Sequence, residues 1–144
     1  MLMNDKQVAV NDVILSLREA ADHYADAAQA IDDEVAADAF VARCRACSET
    51  ADALESHIRR LGELPRRPDP EREALEQLLT RLGASLQADD RVRYAHALAH
   101  KEEGIEEAAA GALRQPLPED TLAVMEKVRN EAAEQKARLE EIGS

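Results

Sequence analysis

The chain has 144 residues, with 30 Asp and Glu against 18 Lys and Arg, and a formal net charge of -12 at neutral pH. An acidic surface repels phosphate backbones, so a nucleic-acid partner is not expected. No run of about 18 apolar residues exists to span a bilayer, so no membrane partner is expected either. Five Gly and five Pro leave too few tight turns for an all-β fold.

Alanine, leucine, glutamate and arginine recur at helical spacing from end to end. The opening Met1-Leu2-Met3-Asn4-Asp5-Lys6 lacks the basic-then-apolar order of a signal peptide, and a cytoplasmic location is expected. Helix one is predicted at about residues 8–31. At about 100° per residue, Val10, Ile14, Leu17, Ala21, Tyr24, Ala28 and Ile31 share one face, while Asn11, Arg18, Asp22 and Gln29 point away. Helix two, about residues 34–61, has Phe40, Cys44, Cys47, Ala51, Leu54, Ile58 and Leu61 at alternating steps of four and three, the spacing of a bundle seam. Gly62 suits a left-handed cap behind it.

The prolines Pro65, Pro68 and Pro70 then forbid helix. A shorter amphipathic piece follows, with Leu75, Leu78, Leu79 and Leu82 on one side. Helix three begins near Asp89, and its seam is Ala95, Leu98, Glu102, Ile105, Ala109 and Ala112 or Leu113. Gln115-Pro116-Leu117-Pro118 ends it. Helix four, about residues 119–142, turns Leu122, Met125, Val128, Ala132, Leu139 and Ile142 inward.

The prediction is an all-α fold: one domain over residues 1–144, with four long helices in two antiparallel pairs. The stretch from 63 to 88 is too long for a hairpin loop. At 1.5 Å per residue, about 24 of its residues reach about 36 Å as helix, enough to travel the length of a bundle. That spacing favours the single-crossover topology of ferritin-like bundles, with helices two and three parallel. An up-down-up-down bundle with a long middle loop is the competing topology.

Three segments carry a resemblance: Asn11-Asp12-Val13-Ile14 opening helix one, Arg59-Arg60-Leu61-Gly62-Glu63-Leu64-Pro65 closing helix two, and Glu102 with Ala112-Leu113 ahead of a Leu-Pro turn. Together they resemble an uncharacterised bacterial family of ferritin-like four-helix bundles, a domain of unknown function, over about residues 8–142. The resemblance implies a fold; it brings no established reaction.

Ferritin-like bundles that hold two metal ions use a Glu from each of two helices and a Glu-x-x-His pair from each of the others. This sequence has no Glu-x-x-His. Glu55-Ser56-His57 is one residue short, and Glu19 and His23 are read as lying off the core face. Glu102 alone sits squarely inward. An ionised carboxylate in an apolar core needs a partner, and counting layers puts Arg129 and Tyr24 near it. The expectation is a structural pair with one of these; the alternative is a relic of an ancestral metal glutamate, its pairing structural today, with a weak mononuclear metal site.

Cys44-Arg45-Ala46-Cys47 lies about ten residues into a helix, where the macrodipole has faded, so thioredoxin-like chemistry is not expected. Two inward thiols suit a soft ion such as Cu(I) or serve as small core hydrophobes. His96 and His100, one turn apart with Glu103, have zinc- or nickel-binding spacing but fall about 140–200° from Leu98, on the solvent side. Gly104 and Gly111, with Ala97 and Ala108, form a small-residue stripe that would let another helix approach, the leucine-rich piece between 75 and 82 or, alternatively, a second subunit. No phosphate loop, Ser-His-Asp set or nucleotide fingerprint is present.

The expected function is therefore a non-enzymatic ferritin-like scaffold or stress-associated binding protein, without a di-iron centre or resident cofactor. Because 28 residues are alanine, the core is poor in bulky groups, and self-association into a homo-oligomer is expected, with the leucines between 75 and 82 buried at the interface. The alternative is a soft-metal binding protein using Cys44 and Cys47.

Overall fold

The computed structural model describes residues 4–61 and 90–143. Among them are four helices and no strand: α1 (Asp5–Ala30), α2 (Glu34–Arg60), α3 (Asp90–Leu113) and α4 (Glu119–Gly143). The Gly62 cap, the proline run and the leucine-rich piece between 75 and 82 lie outside the described residues.

Helix starts follow local chemistry. The Asn4 side chain accepts from the Gln7 amide while the Gln7 side chain accepts from the Asn4 amide, a reciprocal cap that starts α1 three residues before the first predicted position. The Asp33 side chain accepts from the Ala36 amide and starts α2. Only residues 31–33 separate the two helices, so they fold back antiparallel. Gln7 Nε2 donates to the Leu61 carbonyl at 2.5 Å, tying the start of α1 to the end of α2. Arg18 on α1 pairs with Asp52, at 3.1 Å, and with Glu55 of α2. The α3–α4 turn is closed by Gln115 donating to the Ala112 carbonyl at 3.0 Å, and Leu117 is buried between its two prolines.

Helix α1 also packs along α3, again antiparallel. Val8, Ala9 and Asp12 share a groove with Glu107, Ala108 and Gly111, and Glu19 meets Lys101 at 3.9 Å. By contrast, α2 and α4 touch along little of their length.

The apolar stripes occupy the core much as the spacing predicts: Val10, Ile14, Leu17, Tyr24, Phe40, Cys47, Leu54, Ile58, Leu98, Ile105, Met125 and Val128 are all buried. Helix α1 departs from a single stripe. It is flanked by both α2 and α3, so it buries 12 residues against six in α2. For that reason Asn11, expected to point away, is 1% exposed, and His23, expected off the core face, is buried.

The small-residue stripe on α3 has no internal tenant among the described residues. A methyl group at Gly104 would meet nothing within 4 Å, and at Gly111 only the Arg114 side chain at 3.7 Å. Gly104→Ala is therefore expected to stabilise the isolated chain by up to about 1 kcal/mol, through backbone entropy alone. Chemical denaturation checks this. A loss of stability, or a weakened oligomer, would mean that another helix sits on the stripe.

Candidate functional site: a buried carboxylate held by two helices

Glu102, at the middle of α3, is 0% exposed. Its Oε2 accepts from the Tyr24 hydroxyl of α1 at 2.6 Å and from Arg43 Nε of α2 at 2.8 Å. Its Oε1 accepts from Arg43 Nη2, also at 2.8 Å. The guanidinium thus grips the carboxylate through two parallel bonds, the strongest geometry available to this pair. The remaining nitrogen, Nη1, lies 3.8 Å from Glu131 of α4. All four helices contribute to this one charged cluster.

The partner differs from the expected one. Arg129 is half-buried on α4, and Arg43, on the opposite hairpin, makes the pair. Tyr24 was the other expected neighbour, and it does bond Glu102. Arg43 lies three residues after Phe40 and four before Cys47, so a charged residue at a seam step was the available signal. A guanidinium on a long stem reaches the centre from the seam's edge, which a layer count based on Cα positions does not register.

The environment acts on each member. Burial, reinforced by the negative charge of Glu102, pushes the Tyr24 hydroxyl far above its ordinary value. Burial alone would pull Arg43 down, but hydrogen bonding to Glu102 outweighs it and holds the guanidinium above its ordinary range. Tyr24 is further fixed by Phe40, whose ring meets it edge-on with centroids 5.7 Å apart. The cluster is therefore a neutral tyrosine on a bound ion pair.

Cys44 and Cys47 are both free thiols. Cys47 is fully buried in the core; Cys44 is half-buried at its edge, so only one of the two expected inward thiols is enclosed. Burial pushes the Cys47 thiol up to about 12, against the opposing pull of the Arg43 charge. Burial and the nearby Asp22 carboxylate also push Cys44 up. Neither is a ready thiolate, the form that attacks disulfides or binds metal.

A di-metal centre does not fit these residues. Both oxygens of the central carboxylate already accept from Tyr24 and Arg43, and a guanidinium occupies the space a cation would need. Among the described residues, no group of three His, Cys, Asp or Glu side chains has metal-binding geometry. His96 and His100 are exposed, as expected, and line a shallow groove of about 390 Å³ with Glu103 and, from α4, Lys136, Leu139 and Glu140.

A second polar cluster, absent from the sequence reading, joins the end of α2 to the start of α4. His57 Nδ1 lies 2.6 Å from Thr121 Oγ1, and Arg60 donates to Asp120 at 2.7 Å. No described helix is long and apolar enough to cross a membrane.

Comparison with family models, with curated proteins and with solved structures finds no significant match to this chain.

Proposed function

We infer that the protein is a ferritin-like four-helix bundle that has exchanged a metal centre for an internal ion pair, and that it works as a non-enzymatic, self-associating scaffold or binding protein. The observation that carries this reading is that Glu102, 0% exposed at the middle of α3, already accepts at both oxygens from Tyr24 and Arg43. The ferritin-like part, a crossover with a short helix between α2 and α3, is supported by helix direction. Since α1 runs antiparallel to both α2 and α3, those two point the same way, which is the relative direction a single-crossover bundle has. No nucleic-acid partner is proposed for so acidic a chain.

The alternative reading, a Cu(I) site, draws on two free thiols one helical turn apart. Metal analysis of protein purified without a His-tag, combined with light scattering, tests both. The expected result is substoichiometric iron, manganese and copper, and a mass above the monomer at high micromolar concentration. About two metal ions per chain would overturn the inference. One Cu(I) held against a high-affinity chelator, and lost in the Cys44→Ala, Cys47→Ala double variant, would replace it with the copper reading. A monomer throughout would remove self-association.

A further inference from the structure

The α2–α4 seam is thinly packed, so the few groups that bridge it carry unusual weight. At one end His57 Nδ1 lies 2.6 Å from Thr121 Oγ1 and 2.6 Å from Arg60 Nη2. A guanidinium can only donate, so Nδ1 must offer its lone pair, and the neutral ring carries its proton on Nε2. The same Arg60 nitrogen donates to Asp120 Oδ2 at 2.7 Å, and Asp120 Oδ1 accepts from the Thr121 amide at 3.0 Å. Thr121 is 1% exposed, so its hydroxyl depends on His57 rather than on water for a partner.

We propose that His57, Arg60, Asp120 and Thr121 form a pH-sensitive clasp across the α2–α4 seam, shut while His57 is neutral and rearranged when it takes up a proton. Protonation places an N–H on Nδ1, where two donors already point. Arg60 must then leave, because two cationic N–H groups cannot share the 2.6 Å contact. The Thr121 hydroxyl has to turn from donor to acceptor. Asp120, 4.0 Å from Nδ1, is the anion placed to receive the imidazolium. Among the described residues, the groups facing His57 are Arg60 from its own helix and Asp120 and Thr121 from α4. Arg59 points elsewhere, toward Glu55 at 3.9 Å, and α1 reaches this end with the uncharged Gln7, which bonds the Leu61 carbonyl.

Two directions agree with this arrangement. Burial, and then the Arg60 charge, hold His57 below its ordinary value. The hydrogen bond from Arg60 holds the Asp120 carboxyl below the usual carboxylate range. The sign follows. The unfolded chain takes up the proton before the folded one does, so the seam is firmest above the free-histidine value and loosens as pH falls below it.

The test is an NMR titration of the His57 ring in the full chain, with hydrogen-exchange protection of the Thr121 and Leu122 amides followed over the same pH range. In the wild type, the His57 midpoint should lie below that of free histidine, and protection, corrected for intrinsic exchange, should drop as the ring protonates. Arg60→Gln should raise the midpoint and Asp120→Asn should lower it. His57→Gln, whose amide oxygen accepts where Nδ1 did, should keep its protection at every pH, while His57→Lys should lack it at every pH. A wild-type midpoint at the free-histidine value, or protection that ignores His57 protonation, overturns the clasp. Should His57→Lys fail to fold, the wild-type and His57→Gln profiles still decide the matter.

Discussion

Arg43→Met is expected to cost the fold about 3–5 kcal/mol, a large share of the 5–15 kcal/mol that a domain usually has. The cause is less the loss of two hydrogen bonds than the carboxylate left behind. Glu102 is 0% exposed and would retain one donor, the Tyr24 hydroxyl. Glu102→Gln should be milder, about 1–3 kcal/mol, because an amide oxygen still accepts from Tyr24 or Arg43 while the guanidinium loses its countercharge. Arg43→Met combined with Glu102→Leu should recover most of the loss, since an apolar replacement for both partners removes the unpaired charge. The Tyr24 hydroxyl is then the orphan, and adding Tyr24→Phe should restore a further fraction. Urea denaturation of the single, double and triple variants measures the coupling directly. If Arg43→Met alone costs under about 1 kcal/mol, Glu102 does not depend on that pair, and the idea that an ion pair fills the bundle's centre fails with it.

The second large effect is alkaline. Cys47 is fully buried, and its thiol is held at about 12, against an ordinary value of 9.0. A group whose folded-state value is raised contributes stability that is complete below the unfolded value and is lost as pH rises toward the folded one. Between about pH 9 and 12 the unfolded chain releases this proton and the folded chain keeps it. Stability should therefore fall by up to about 1.4 kcal/mol per pH unit, or about 4 kcal/mol across the window. Tyr24, also pushed up by burial, acts in the same direction. The useful measurement is consequently the difference between wild type and Cys47→Ala. At neutral pH Cys47→Ala should be less stable by about 1–2 kcal/mol, from the buried atoms removed. By pH 11 it should match or exceed the wild type. Parallel curves for the two proteins would show that water or a rearranged core reaches the sulfur.

Much of the fold was legible because helical periodicity is a local property. Phe40, Cys47, Ala51, Leu54 and Ile58 repeat at seam spacing and are all buried, and Gln115 to Pro118 breaks the chain where α3 ends. Glu102 stood out for the same reason: a lone carboxylate on an apolar stripe needs an explanation before any coordinates exist. Its partner was not legible. A count of layers along the helices favours Arg129, whereas Arg43 makes the bonds, because a long side chain can cross from the flank of α2. A single stripe on α1 leaves His23 and Asn11 facing outward, whereas α1 has two neighbours and buries two stripes.

The sequence alone determined where the helices begin and end to within about three residues, the main apolar face of each, and that one charge lies among them. Those properties depend on caps, prolines and a period of 3.6 residues, all set within a few neighbours along the chain. Tertiary structure alone decided that Arg43 reaches Glu102, that Cys47 is enclosed while Cys44 sits at the edge, and that His57 meets Thr121. Each of these pairs residues from different helices or ranks two positions three residues apart. Such outcomes are fixed by the rotation and offset of one packed helix against the next, which no local pattern encodes.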